Sequence, residues 1–76
     1  MDTDKLLANA RARRTLREVP ELARSLRLQS SLTLHEIGDA LGVTYAAVQR
    51  WETGQRVPRG DTARRYLELL HKAAST

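Results

Sequence analysis

Arginine dominates the chemically useful side chains of this chain. Eleven of the 13 basic residues are arginines, and with nine acidic residues they leave a formal net charge of +4. A guanidinium group can bind a phosphate or the edge of a guanine through two parallel hydrogen bonds. The second half of the chain gathers Arg50, Arg56, Arg59, Arg64 and Arg65, with only Glu52 and Asp61 as acids among them. This pattern predicts a polyanionic partner, and nucleic acid fits it best.

Side chains suited to catalysis or metal binding form no recognisable set. The candidate groups His35, Glu36, Asp39 and His71 offer no nucleophile with a base and an orienting partner. The chain has no cysteine, which excludes a disulfide framework, a thiolate metal site and a cysteine nucleophile. We therefore expect no enzyme, no catalytic residue, no metal, no cofactor and no small-molecule ligand.

Composition limits the architecture to a small helical domain. A chain of 76 residues has room for one domain, residues 1–76, and with no phenylalanine its core must consist mainly of leucine and alanine. No apolar run reaches the roughly 20 residues of a membrane span, and the polar start is unlike a secretory signal. Helical spacing predicts a helix over 4–16, a second from Pro20 to about residue 29, and a last one over 61–73. The predicted fold class is all-α.

Inner faces of these outer helices follow from the apolar spacing. The first helix has Leu6, Leu7 and Ala10 on one side. The predicted inner positions of the second and last helices are Val19, Leu22, Ala23, Leu26, Ala63, Tyr66, Leu67, Leu70 and Ala74. Asp61 is expected to cap the last helix or to lie in its first turn.

The most informative stretch lies between residues 32 and 54. Thr33 and Glu36 have the spacing of a capping box, which starts a helix at the next position. Gly42 stands where a left-handed residue ends a helix, and Thr44 can cap the next one. Two short helices, 33–41 and 44–53, joined by a tight turn containing glycine, form a helix-turn-helix over 33–53.

These residues carry a resemblance to a known family. The pattern Leu32-Thr33-x-x-Glu36-Ile37-Gly38-x-x-Leu41-Gly42-Val43-Thr44, then Val48-x-x-Trp51-Glu52-x-Gly54-x-x-x-Pro58, resembles the Cro/phage-repressor type of helix-turn-helix, the xenobiotic-response-element-like transcriptional regulators. The resemblance spans about residues 20–71. It implies a compact, lambda-repressor-like bundle of about five helices, with helix 33–41 braced on the DNA backbone and helix 44–53 in the major groove. The helix at 4–16 lies outside it, and we expect it to fill the place of a further helix that the family has at its end.

The resemblance also implies which residues face DNA. Base readers are expected at Tyr45, Ala46, Gln49 and Arg50; Arg50 would discriminate guanine by about 1–3 kcal/mol. Gln49 suits adenine or a phosphate, Ala46 a thymine methyl group, and Tyr45 a sugar or a phosphate. The expected phosphate contacts are Thr44, Thr53, Gln55, Arg56 and Arg59, with Arg64 and Arg65 extending the strip.

Three other positions have structural interpretations. Trp51 could stack on a base, but its spacing with Val48 and Ile37 favours the core. By the resemblance, Arg27 and Glu52 form a structural ion pair between two helices. Many relatives carry Gln at the position of Leu34, where it props the recognition helix; here His35 substitutes for it or the brace is missing.

The function expected from these features is that of a sequence-specific, double-stranded DNA-binding regulator, a small repressor of phage or mobile-element type in a bacterial cytoplasm or nucleoid. So small a module is expected to act as a homodimer on a near-palindromic site, through Leu69 or the Leu6-Leu7 pair. The alternatives are an antitoxin that binds a toxin and represses its own operon, or a DNA-bending excision factor. The cluster Arg11, Arg13, Arg14 and Arg17 either contacts phosphates or is a solvated helix end.

Overall fold

Five helices make up the described part of the chain. A computed structural model describes residues 2–76 and contains, in chain order, α1 (Thr3–Glu18), α2 (Pro20–Gln29), α3 (Leu34–Leu41), α4 (Tyr45–Glu52) and α5 (Asp61–Ala74). No strand occurs in this described range. The predicted all-α class and five-helix bundle are confirmed. None of the helices within residues 2–76 is long and apolar enough to cross a membrane.

The last helix, α5, is the centre of the bundle. It packs against α1, α2 and α3, and its Ala63, Tyr66 and Leu70 are fully buried. The indole of Trp51 lies against the ring of Tyr66, with the ring centroids 5.0 Å apart. The full buried core comprises Ala12, Leu16, Ala23, Leu26, Ile37, Leu41, Val48, Trp51, Ala63, Tyr66 and Leu70.

The first helix, α1, packs through a different side from the one that its leucines suggest. Leu6 and Leu7 are 53% and 47% exposed, whereas Ala12 and Leu16 are buried against the bundle. The helix also runs two residues further than residue 16, to Glu18. The principal partner of α1 is α5. Helix α1 therefore does contribute to the core, as expected, but it does so through Ala12 and Leu16.

The starts of α2 and α5 differ in detail from the prediction. Val19 was expected on an inner face, which is wrong: it precedes the helix, and its side chain is 41% exposed. Pro20 takes the first helical position, where its missing N–H leaves no hydrogen bond unmade. At α5 the residue before the helix is Gly60. Asp61 lies in the first turn, where its negative charge interacts favourably with the positive end of the helix dipole.

Candidate nucleic-acid interface

A capping box fixes the start of α3. The Thr33 hydroxyl accepts a hydrogen bond from the Glu36 amide at 3.0 Å, and the Glu36 carboxylate accepts one from the Thr33 amide at 2.9 Å. The Glu36 carboxylate therefore has a structural partner that accounts for its position.

The turn between α3 and α4 depends on two glycines. Gly42 adopts φ +74°, a left-handed conformation that other L-residues adopt at a cost of about 1–2 kcal/mol. Gly38 is helical, but a Cβ at that position would lie 2.7 Å from the Val43 carbonyl oxygen. The Val43 amide donates to the Gly38 carbonyl at 2.9 Å, which holds the turn against the helix. Gly38 thus sets how closely α4 approaches α3.

Helix α4 has a buried inner side and a largely exposed outer side. Thr44 caps it by accepting from the Ala47 amide at 3.2 Å, and Val48 and Trp51 are buried. This confirms the core position of Trp51. The four positions expected to read bases lie on the outer side, three of them exposed and Ala46 half-buried: Tyr45, Ala46, Gln49 and Arg50.

The end of α4 is tied to the loop that follows. The Arg50 carbonyl accepts three hydrogen bonds, from the Thr53 hydroxyl at 3.2 Å and from the amides of Gln55 at 3.0 Å and Arg56 at 3.2 Å. Two shallow depressions meet at Arg50. One, of about 240 Å³, is lined by Ala46, Gln49, Arg50, Thr53 and Gln55. The other, of about 300 Å³, includes Arg50, Arg56 and Arg59 around an apolar floor.

This arrangement concentrates positive charge beside the outer side of α4. Arg50, Arg56 and Arg59 are exposed, and none of them makes a salt bridge within the described residues 2–76. Three unpaired guanidinium groups around one depression are suited to an anionic surface. We call Arg50, Arg56 and Arg59 the basic rim.

Comparison with known proteins agrees with this geometry. A helix-turn-helix family model of the Cro/C1 type matches residues 24–74, two thirds of the chain. The chain belongs to this family. The matched range contains α3, α4, α5 and the basic rim, and the family is one of DNA-binding transcriptional regulators. No curated protein sequence and no solved structure matches the chain.

In this helix-turn-helix protein, an ion pair joins α2 to the end of α4. The Arg27 guanidinium donates to both oxygens of the Glu52 carboxylate, at 2.5 and 3.1 Å, and also to the Leu32 carbonyl at 3.2 Å. The two side chains are 14% and 5% exposed. The hydrogen bond to Glu52 raises the pKa of Arg27 further above its ordinary value, although burial acts in the opposite direction. Glu52 is therefore occupied in joining the end of α4 to α2.

The nearby Tyr66 hydroxyl is buried and has no hydrogen-bond partner among the described residues. Burial raises the pKa of this phenol.

One arginine expected to extend the phosphate strip is held elsewhere. Arg64 donates from Nε to the Asn9 side-chain oxygen at 2.9 Å and pairs with Glu68 at 3.3 Å and Asp61 at 3.6 Å. Its side chain is 21% exposed and joins α5 to α1, so it is engaged within the fold, unlike the arginines of the basic rim. Arg65, by contrast, is exposed.

Asn9 completes this network by donating to the Asp61 carboxylate at 2.9 Å. That hydrogen bond, with the nearby Arg64 charge, lowers the pKa of Asp61. No local pattern in the sequence indicates this role of Asn9, because its partners are more than 50 residues away.

An aromatic contact crosses the turn of the helix-turn-helix. The His35 and Tyr45 rings are tilted at 37° with centroids 4.4 Å apart, although both residues are exposed. Leu34, at the position where the resemblance implies a glutamine, is half-buried against the core. His35 thus contacts Tyr45, the first residue of α4, and its substitution for the family's glutamine stays a prediction. No cluster of histidine, aspartate or glutamate within residues 2–76 has the geometry of a metal site.

Proposed function

We propose that this protein is a sequence-specific repressor that recognises double-stranded DNA with α4 in the major groove. The observation that carries the proposal is the position of Arg50, which is exposed on the outer side of α4 and shared by both depressions beside it. A side chain placed there can reach a base edge while the flanking groups contact the backbone. Occupying an operator would exclude polymerase or a competing regulator.

The outer side of α4 supplies the base contacts. Arg50 pairs with the O6 and N7 atoms of guanine, and Gln49 pairs with adenine or supports a phosphate contact. Ala46 is small enough to pack on a thymine methyl group. Tyr45, held by His35, places its hydroxyl at the edge of the groove, where it contacts a sugar or a phosphate.

Groups at the two ends of α4 supply the backbone contacts. Thr44 lies at the helix N-terminus, where free amides and the helix dipole favour a phosphate. Beyond the other end, Thr53, Gln55, Arg56 and Arg59 contact phosphates of the DNA backbone. These contacts fix the position of α4 but do not discriminate between sequences.

Specific binding requires two copies of so small a module. One recognition helix covers about half of an operator, so a homodimer on a near-palindrome, with half-sites about one helical turn apart, supplies the remaining contacts. Leu6 and Leu7 are exposed and available for such a contact, whereas Leu69 is half-buried against the core. A protein of this kind acts where the DNA is, in the cytoplasm or nucleoid of a bacterial cell.

Selection of bound sequences from random duplex DNA tests the function. The expected result is one enriched motif containing guanine at a fixed position, repeated with opposite orientation about one helical turn away. Enrichment of no motif, with equal binding to all duplexes, would show that the protein does not recognise sequence.

A further inference from the structure

The arginine cluster of α1 has two sides with different surroundings. Four arginines, Arg11, Arg13, Arg14 and Arg17, occupy the second half of this helix, and all four are exposed. None of them forms a salt bridge within the described residues. With 3.6 residues per turn, Arg13 and Arg17 share one stripe of the helix, while the other two arginines lie away from it.

One end of that stripe lies beside Gly60, the last residue of the loop that follows α4. The positions Leu6, Asn9, Arg13 and Arg17 lie within an arc of about 80°. Near the N-terminal end of the stripe, Leu6 and Asn9 line a depression together with Gly60 and Asp61. The hydrogen bond from Asn9 to Asp61 fixes this end beside the start of α5.

The other end of α1 lies near the end of the recognition helix. A Cβ built on Gly54 would be 3.3 Å from Cγ of Pro20, the second residue after α1. The six peptide units between Gly54 and Gly60 can span about 20 Å at full extension. The stretch of α1 from Asn9 to Glu18 measures about 14 Å. The two ends of the loop that carries Arg56 and Arg59 therefore lie near the two ends of this stretch of α1.

We infer that Arg13 and Arg17 form an additional phosphate-binding site, which holds the DNA backbone beyond the contacts of the basic rim. The loop bearing Arg56 and Arg59 begins near the end of α1 that carries Arg17 and ends near Asn9 on the same helix. A duplex that follows the basic rim then meets two further guanidinium groups. This inference rests on the proposed function, because it extends the same DNA-binding surface.

The remaining arginines provide a matched control on the same helix. Arg11 lines a groove between α1 and α5 together with Leu67 and His71, on the other flank of the helix. Arg14 lies about a quarter turn from the stripe, on the side opposite the buried face. Both are exposed like Arg13 and Arg17, so general attraction to a polyanion predicts equal effects for the two pairs.

The test is the salt dependence of binding to a short mixed-sequence DNA duplex carrying a fluorescent label. Each lost phosphate contact reduces the slope of log K against log salt by about 0.9 on duplex DNA. Replacing Arg13→Gln and Arg17→Gln together should lower the slope by about 1.8 between about 50 and 200 mM salt. Replacing Arg11→Gln and Arg14→Gln should leave the slope close to that of the unmodified protein.

Three outcomes are decisive. A slope lowered only by the Arg13 and Arg17 pair supports the site. An equal effect of both pairs, or no effect of either, overturns it while leaving the proposed function intact. If the unmodified protein shows no salt-dependent binding to duplex DNA, the proposed function fails and this inference fails with it. Circular dichroism spectra of both double variants control for folding.

Discussion

Replacing Arg27 should leave the buried Glu52 carboxylate without its charged partner. The Arg27→Met variant keeps most of the side-chain volume but leaves the Glu52 carboxylate, 5% exposed, without its two guanidinium hydrogen bonds. Breaking a buried ion pair on one side costs about 3–5 kcal/mol. A domain of this length has a total stability of about 4–11 kcal/mol, so the variant should lose a large part of its folding free energy.

A double variant distinguishes the cost of the unpaired Glu52 carboxylate from the cost of lost side-chain packing. Arg27→Met with Glu52→Leu removes both charges, and such replacements of buried pairs are often neutral or stabilising. We expect the double variant to recover most of the loss. Urea unfolding, followed by circular dichroism and by the fluorescence of Trp51, measures the free energy of unfolding of each protein. Because Trp51 is the only tryptophan, its signal reports the same part of the core in every variant.

The reasoning would be refuted by equal destabilisation of the single and double variants. That result would mean that the contacts of the Arg27 side chain with its surroundings, and not the unpaired Glu52 carboxylate, account for the loss.

Three further predictions concern the turn, the aromatic contact and the acid dependence of stability. Gly38→Ala should destabilise the protein by about 1–3 kcal/mol in urea unfolding, because its Cβ meets backbone that cannot move aside. Gly42→Ala, which meets open space, should lose only the left-handed preference, about 1–2 kcal/mol. His35→Ala should weaken binding to the selected operator by about two- to tenfold in fluorescence anisotropy, since an aromatic pair that holds Tyr45 is worth about 0.5–1.5 kcal/mol; unchanged affinity would rule out positioning by His35. The lowered pKa of Asp61 stabilises the folded state above the carboxyl's unfolded pKa, and this contribution disappears as pH falls through the folded pKa. Asp61→Asn should therefore show a smaller decrease in urea midpoint between neutral and acidic pH than the unmodified protein, and an identical decrease would contradict the assignment.

Local signals account for the parts of the fold that the sequence predicts well. The capping box of Thr33 and Glu36 and the left-handed Gly42 act through neighbours a few residues away, so their spacing is visible in the sequence. The predicted starts of α3 and α4 differ by at most one residue from the observed ones. The apolar spacing of α4 likewise separates Trp51 from the exposed positions.

Contacts between distant segments could not be predicted in this way. The side of α1 that packs is determined by its neighbours in the fold, chiefly α5, so that Ala12 and Leu16 are buried while Leu6 is exposed. The same limitation explains Arg64, whose partner Asn9 is 55 residues away. Charge alone marks an arginine as available to a phosphate, although a partner elsewhere in the fold can occupy it.

The positions on the outer side of α4 are an intermediate case. Helical spacing predicts that Tyr45, Gln49 and Arg50 point away from the core, and they are exposed in the structure. Their roles toward DNA came from the family resemblance and remain predictions. The contact between His35 and Tyr45 involves two exposed rings across a turn, which apolar periodicity does not reveal.

In the proposed complex, Arg50 reads a base while the nearby Arg56 contacts only the backbone. The most direct test compares the affinity of Arg50→Ala and Arg56→Ala for the selected operator and for a duplex with the guanine replaced. Arg50→Ala should lose about 1–3 kcal/mol of the preference between the two duplexes, whereas Arg56→Ala should weaken both alike. An operator preference unchanged by Arg50→Ala would contradict the proposed arrangement of α4 in the groove.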